Sequence, residues 1–148
     1  MADAKSLGSF KDWMAHTFSD TDGLVCSMWS QPTKAVGKYK KRGEIFVFVS
    51  HRPAEKRTDH VSFELGYESK SGEALRVAID GKAFKFVTDG TMAWNDTPKE
   101  NSTLVKLMRK GRKMEVKGIS KRGTKTTDTY SLSGFTAAHD AINGACDN

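Results

Sequence analysis

Cys26 and Cys146 are the two cysteines of this 148-residue chain. Their spacing matches no redox or zinc motif, and one pair cannot supply the four ligands of a structural zinc site. Two alternatives remain: a pair of buried thiols or one disulfide. We favour the disulfide, because closing a loop of about 120 residues would stabilise the fold by roughly 4–5 kcal/mol. A disulfide would indicate an oxidising compartment.

Histidines and acids offer little further chemistry. The four histidines are His16, His51, His60 and His139, and their spacing is not that of a metal site. Asp59 and His60 are adjacent and could form half of a catalytic pair, but no nucleophile motif accompanies them. Gly118–Lys125 is close to a phosphate-binding loop, yet Thr-Lys stands where the motif needs Lys-Thr. We predict a non-enzymatic protein with no catalytic residue, no metal site and no cofactor.

The formal net charge of +6 is unevenly distributed. Lys34–Arg57 contains eight basic and two acidic residues, and Lys106–Lys125 contains nine basic residues and one acid. Two basic segments on an acidic body can attract an anionic partner, such as nucleic acid, lipopolysaccharide, acidic lipid or a sulfated glycan. A solvated face would give the same pattern. The candidate residues for anionic-surface binding are Lys106, Arg109, Lys110, Arg112, Lys113, Lys117, Lys121, Arg122 and Lys125.

Aromatic residues do not accompany these basic ones. Lys106–Lys125 contains no aromatic residue, whereas sites for single-stranded nucleic acid combine cations with stacking rings. We therefore expect no nucleic-acid partner. Trp13, Trp29 and Trp94 are interpreted as core anchors, because large aromatic side chains dominate core burial.

The elements that must position these residues are mostly strands. Strand patterns cover Leu24–Ser30, Glu44–Ser50, His60–Gly66, Ala74–Ile79, Ala83–Val87, Met92–Trp94, Lys113–Ile119 and Thr124–Leu132. Glu44–Ser50 is apolar at successive positions and predicts a strand buried on both faces. Asp80-Gly81 predicts a tight hairpin, because both residues tolerate positive φ.

Two segments have the spacing of helices, Ser102–Lys110 and Phe135–Ala145, and Ser133 is the predicted N-cap of the second. Many short strands with two short helices predict a mainly β fold, an antiparallel β-sandwich or barrel-like sandwich with one or two short helices.

The chain is predicted to be a single domain over residues 1–148, with residues 1–9 flexible. No apolar run reaches the roughly 20 residues of a membrane-spanning helix. Met1-Ala2-Asp3-Ala4 lacks the apolar stretch of a secretory signal. If the protein is exported, we expect that its signal peptide has been removed from this sequence.

The chain resembles the invasion-associated locus B family of bacterial envelope proteins over about residues 10–146. The most specific stretch runs from Gly118 to Thr124 and continues through Asp128–Leu132 to Gly134–Ala138. The other residues that carry the resemblance are Trp13, Cys26, Pro32, Arg42-Gly43, His51-Arg52-Pro53, Gly66-Tyr67, Ile79-Asp80, Phe84–Phe86, Asp89-Gly90, Ala93-Trp94, Leu104–Lys106, Lys110-Gly111, Ile142 and Cys146.

This resemblance implies an exported protein of the periplasm or outer envelope, or a secreted one, linked in its name-giving members to virulence and the invasion of host cells. It provides no catalytic residues. The expectation is a non-enzymatic envelope protein that contributes to invasion by binding, with a host-cell surface or an anionic envelope component as its partner. The alternative is a structural or stress-related periplasmic protein without host contact.

Overall fold

The computed structural model describes residues 4–146. Of the described residues, 51% are in strands. The strands are β1 (Lys5–Phe10), β2 (Trp13–Asp20), β3 (Gly23–Ser30), β4 (Lys34–Gly37), β5 (Phe46–Arg52), β6 (Arg57–Glu64), β7 (Leu75–Ile79), β8 (Lys82–Asp89), β9 (Met92–Trp94), β10 (Lys113–Ile119) and β11 (Lys125–Ser131). Two helices follow β9 and β11, α1 (Pro98–Lys110) and α2 (Phe135–Ala145).

All eleven strands form one antiparallel sheet in the order β1-β2-β3-β5-β6-β9-β8-β7-β10-β11-β4. Only residues 31–33 separate β3 from β4, yet β4 lies at the far edge of the sheet. So short a connection requires the sheet to curl until its two ends meet. The indole Nε1 of Trp13 in β2 accordingly donates a 2.9 Å hydrogen bond to the carbonyl oxygen of Ser131 in β11. The mainly β, antiparallel prediction is confirmed.

The inside of the curled sheet holds the core. Alternate strand residues point inward, so residues two apart share this face. Phe63 of β6 packs edge-on against Phe86 of β8 at 5.3 Å between ring centroids, and lies 5.9 Å from the ring of Tyr130 of β11. These three side chains are at most 1% exposed. Rings from both halves of the sheet therefore fill one core.

The two helices pack against the sheet and against each other. α1 packs against β6, and α2 packs against β1, β2 and β3. The ring of Phe135 in α2 lies 4.9 Å from that of Trp13, at right angles to it. Among the residues that the structure describes, no helix is both long and apolar enough to cross a membrane.

The start of α2 depends on a glycine. The prediction that Ser133 caps α2 is wrong: the N-cap is Gly134, and no side chain bonds to the free amides there. Gly134 has a φ of 89°, and a Cβ atom at this position would overlap the carbonyl oxygen of Phe10. The chain thus turns into α2 in a conformation and a space that only glycine accommodates.

Other local differences have physical reasons. Within the segment that we expected to be flexible, residues 1–9, Lys5–Phe10 form β1 and pair with β2, and residues 1–3 lie outside the described part; its flexibility stays a prediction. β5 is not buried on both faces, because Phe46 and Phe48 point to the partly exposed outer face. The Asp80-Gly81 hairpin is confirmed, with φ values of 50° and 80°.

Candidate functional site

The two cysteines are joined. Cys26 in β3 and Cys146 at the end of α2 form a disulfide with a Cα–Cα distance of 6.1 Å. Of the two alternatives left open by the sequence, the structure has the disulfide. It fastens the last helix to the third strand of the sheet, across a separation of 120 residues.

A buried polar cluster, formed by His51, Asp59 and His139, adjoins this disulfide, since His51 is the cross-strand partner of Cys26. The Nε2 atom of His139 lies 2.8 Å from Oδ1 of Asp59. The Nδ1 atom of His51 accepts a hydrogen bond from the backbone N–H of Asp59 at 3.0 Å. Sequence spacing gave no signal for this cluster, because its members come from β5, β6 and α2.

The ring nitrogens of the cluster are already used. Arg109 can only donate, so its 2.6 Å contact makes Nδ1 of His139 an acceptor and leaves the proton on Nε2, towards Asp59. His51 accepts at Nδ1, and its Nε2–H donates to Oδ1 of Asn143 at 2.7 Å. The Nδ1 atoms of His51 and His139 therefore each already receive a hydrogen bond from the protein. These hydrogen bonds connect α1 and α2 to the sheet.

The electrostatics of the cluster favour neutral His51. Burial, as the largest cause, lowers the pKa of His51 below its ordinary value of 6.5, and nearby His139 lowers it further. Asn143 and Asp59 act in the opposite direction without reversing the shift. Asp59, which the sequence paired with His60, contacts the other two rings instead. His60 faces outward in a shallow cleft with Trp94.

The nine candidate cations are distributed over a helix, the connection after it, two strands and a turn. Arg109 on α1 bonds to His139 and Asp140. Lys106 and Lys110 are on α1, and Arg112 connects α1 to β10. Lys113 and Lys117 lie on the exposed face of β10, Lys121 and Arg122 in the turn after it, and Lys125 at the start of β11. The segment therefore divides between a helix and a sheet face.

Three cations stand side by side on that sheet face. Arg76 of β7 pairs directly with Lys85 of β8 on one side and with Lys117 of β10 on the other. Directly paired residues point to the same face, and all three side chains are exposed. We call these three residues the cationic row. One acid lies beside it: Glu115, with its carboxylate 3.6 Å from the Lys117 ammonium group.

A second basic feature joins the two segments seen in the sequence. A cleft of about 650 Å³ is lined by Lys38, Tyr39, Lys40, Lys41, Tyr67, Glu68, Ser120, Lys121, Arg122, Thr124 and Thr126. We call it the basic cleft. Five of its side chains are cations, and its single carboxylate, Glu68, lies 3.6 Å from Lys121. The sequence missed it because Lys38–Lys41 and the turn at Lys121 are 80 positions apart.

A buried ion pair supports the wall of the basic cleft. Arg42 donates two hydrogen bonds to the carboxylate of Asp128, at 2.8 and 2.6 Å, and a third to the carbonyl of Leu65. Its guanidinium carbon lies 4.8 Å from the ring centroid of Tyr67 and 5.3 Å from that of Tyr39. One internal cation thus positions both tyrosine rings.

The outer face of β2, β3, β5, β6 and β9 is different in character. Its half-exposed aromatic side chains include Trp29, Phe46, Phe48 and Trp94. Trp29 and Trp94 are therefore not core anchors as predicted, whereas Trp13 is fully buried. Alternation along the strands explains the difference, because Trp29 lies one residue out of phase with buried Met28.

The curled antiparallel sheet with one disulfide defines a β-rich protein, and the disulfide fits an exported one. Comparison with protein families identifies it: the invasion associated locus B (IalB) family matches residues 13–143. The chain belongs to the IalB family, which is not known as a family of enzymes. Comparison with characterised proteins and with solved structures gives no match.

Proposed function

We propose that this protein is a non-enzymatic, exported envelope protein that contributes to host-cell invasion by binding an anionic surface. Membership of the IalB family and the disulfide support export and the envelope. The observation that carries the binding mode is the cationic row of Arg76, Lys85 and Lys117.

The row costs stability in the isolated protein. Like charges directly opposite each other in a sheet repel, at a cost of a few tenths to about 1 kcal/mol for each pair. The exposed Glu115–Lys117 pair offsets little of this, since surface ion pairs are screened by water and salt. An anionic surface would remove the repulsion and gain attraction to three cations at once. Binding through this face should weaken as salt concentration rises.

Charge neutralisation tests the proposal. The triple variant Arg76→Gln, Lys85→Gln, Lys117→Gln removes the row without adding acids. Lys99→Gln, Lys106→Gln, Lys110→Gln is the matched control, because it removes the same charge from α1. We expect the row variant to lose salt-sensitive binding to host cells and the control to keep it. Equal binding by both variants would overturn the proposed surface.

A deletion strain tests the biological role. Complementation with the wild-type protein should restore host-cell invasion, and complementation with the row variant should not. A strain that shows an envelope-stress defect with normal invasion would instead support a structural or stress-related periplasmic role without host contact.

A further inference from the structure

We propose that the basic cleft is a binding site for a sulfated saccharide, a ligand site separate from the cationic row. This inference deepens the proposed function and rests on it, because animal cell surfaces are where sulfated sugar chains would be met. The cleft volume of about 650 Å³ lies within the range of roughly 300–1,000 Å³ that is typical of small-ligand sites.

The charges of the cleft favour an anionic ligand with more than one charged group. Lys38, Lys40 and Lys41 come from the segment after β4, and Lys121 and Arg122 come from the turn after β10. One carboxylate, that of Glu68, neutralises part of this charge through Lys121. Five cations from two separate parts of the chain suit a ligand that carries several anionic groups along its length. A sulfated disaccharide unit carries its charge in this way, whereas a single terminal phosphate does not.

The remaining lining distinguishes a sugar from a bare anion. Tyr39 and Tyr67 supply ring surface, and Ser120, Thr124 and Thr126 supply hydroxyl groups. Apolar surface with a few placed polar groups is what organic ligands require for orientation. Burial, the largest cause, raises the pKa of Tyr67, so its hydroxyl group stays protonated and shares a 2.8 Å hydrogen bond with the hydroxyl of Thr126. Inorganic sulfate could accept hydrogen bonds from the hydroxyl groups, but it has no surface to place against the tyrosine rings.

The site is formed before any ligand arrives. Arg42 is 3% exposed at its side chain and is held by Asp128, so both tyrosine rings stay in place without a ligand. A Cβ atom on Gly118 would overlap the hydroxyl group of Tyr67, so glycine leaves the space that this ring occupies. Pre-organisation of this kind lowers the entropic cost of binding.

Isothermal titration of the purified, disulfide-bonded protein with a heparin-derived sulfated tetrasaccharide tests the site. We expect saturable binding at one site, at least about tenfold weaker in the double variant Lys40→Gln, Lys121→Gln. Tyr39→Leu keeps the charge, and we expect it to weaken binding by about fivefold through lost ring contact. The control Lys106→Gln, Lys110→Gln removes the same charge from α1 and should bind like the wild type.

The comparison ligands decide the chemistry. The desulfated tetrasaccharide and inorganic sulfate should each bind at least about tenfold more weakly. Equal affinity for the desulfated sugar, or for inorganic sulfate, overturns the sulfated-saccharide assignment, as does unchanged binding in the Lys40/Lys121 variant. If that variant binds the sugar normally while the row variant loses cell binding, the cleft proposal alone fails. If the sugar binds in the cleft but the row variant binds cells normally, the proposed cell-binding surface alone fails.

Discussion

Trp13 and Ser131 are 118 positions apart, and the Trp13 indole donates a hydrogen bond of 2.9 Å to the Ser131 carbonyl. This bond joins the second strand of the sheet to the tenth in spatial order and holds the curled sheet closed. Trp13 also packs edge-on against Phe135 of α2. The indole therefore supports both the closure of the sheet and the position of the last helix.

Replacing Trp13 with Phe should lower the free energy of unfolding by about 2–4 kcal/mol, from one lost hydrogen bond and a cavity in the core. Trp29→Phe is the matched control on the half-exposed outer face, and a loss below about 1 kcal/mol is expected there. Urea unfolding followed by fluorescence measures both. Equal losses would mean that the Trp13 contact does not close the sheet.

The disulfide should dominate the stability of α2. Replacing Cys26 and Cys146 with Ala should destabilise the protein by up to about 4–5 kcal/mol, the loop-closure estimate for so long a loop. Mass measurement should show a gain of about 2 Da on reduction. Two free thiols in protein purified under non-reducing conditions would contradict the pairing and, with it, the argument for export.

The buried ion pair should be costly to break and cheaper to replace. Asp128→Asn leaves Arg42 charged and buried with a weaker partner, so the protein should lose about 3–5 kcal/mol of stability. The double replacement Arg42→Met, Asp128→Leu removes both charges and should cost less than the single one. The exposed Asp20–Arg52 pair serves as the control, and Asp20→Asn should have a small effect on chemical denaturation. A double variant less stable than Asp128→Asn would show that the pair is net stabilising.

Acid should weaken the fold through His51. Its pKa is lowered in the folded state, so the unfolded chain binds a proton that the folded chain excludes. The stability contributed by neutral His51 is complete above pH 6.5 and is lost as the pH falls towards the lowered pKa.

His51→Gln tests this dependence, because the amide can donate to Asn143 and accept from the Asp59 N–H without titrating. We expect a smaller fall of Tm between pH 7 and 5 in the variant than in the wild type. Burial also lowers the pKa of His16 and of His60, so part of the slope should remain. An unchanged slope would exclude His51 as its source.

Two glycines allow the cost of an unfavourable backbone conformation to be measured apart from the cost of steric overlap. Gly134 and Gly123 both have a φ of 89°, but a Cβ atom at Gly134 overlaps the Phe10 carbonyl, whereas one at Gly123 meets nothing within 4 Å. Gly123→Ala should therefore cost about 1–2 kcal/mol from conformation alone. Gly134→Ala should cost several times more, as measured by thermal unfolding. Similar Tm values for the two variants would indicate that β1 shifts to make room.

The sequence predicted the elements with strong local patterns and missed those defined by distant partners. The β-branched and aromatic run of β5 and the Asp80-Gly81 hairpin could be read locally. β1, β2 and β4 were not predicted, because Lys5–Phe10 and Lys34–Gly37 have weak patterns and become strands by pairing with a neighbour. Alternate strand residues point into the core, and this alternation determines which tryptophan side chains are buried.

The same limit applies to the site. The cysteine pair could be predicted, because only two cysteines exist. The cationic row depends on sheet order, which brings β8, β7 and β10 together, and the basic cleft brings residues 38–41 together with residues 120–126. In the cationic row, Arg76 and Lys85 are nine positions apart in the sequence, and Arg76 and Lys117 are 41 positions apart. Charge counts along the chain identify the segments but not which cations become neighbours.

The edges of the sheet have a consequence for encounters between copies of the chain. An eleven-stranded sheet ends in two strands whose outer backbone groups could pair with another molecule. β4 is only four residues long and begins with Lys34, and β1 is interrupted by a bulge between Ser6 and Gly8. Short, charged or irregular edges discourage a further strand from docking. At high local concentration, the protein should therefore resist growing into larger β-assemblies.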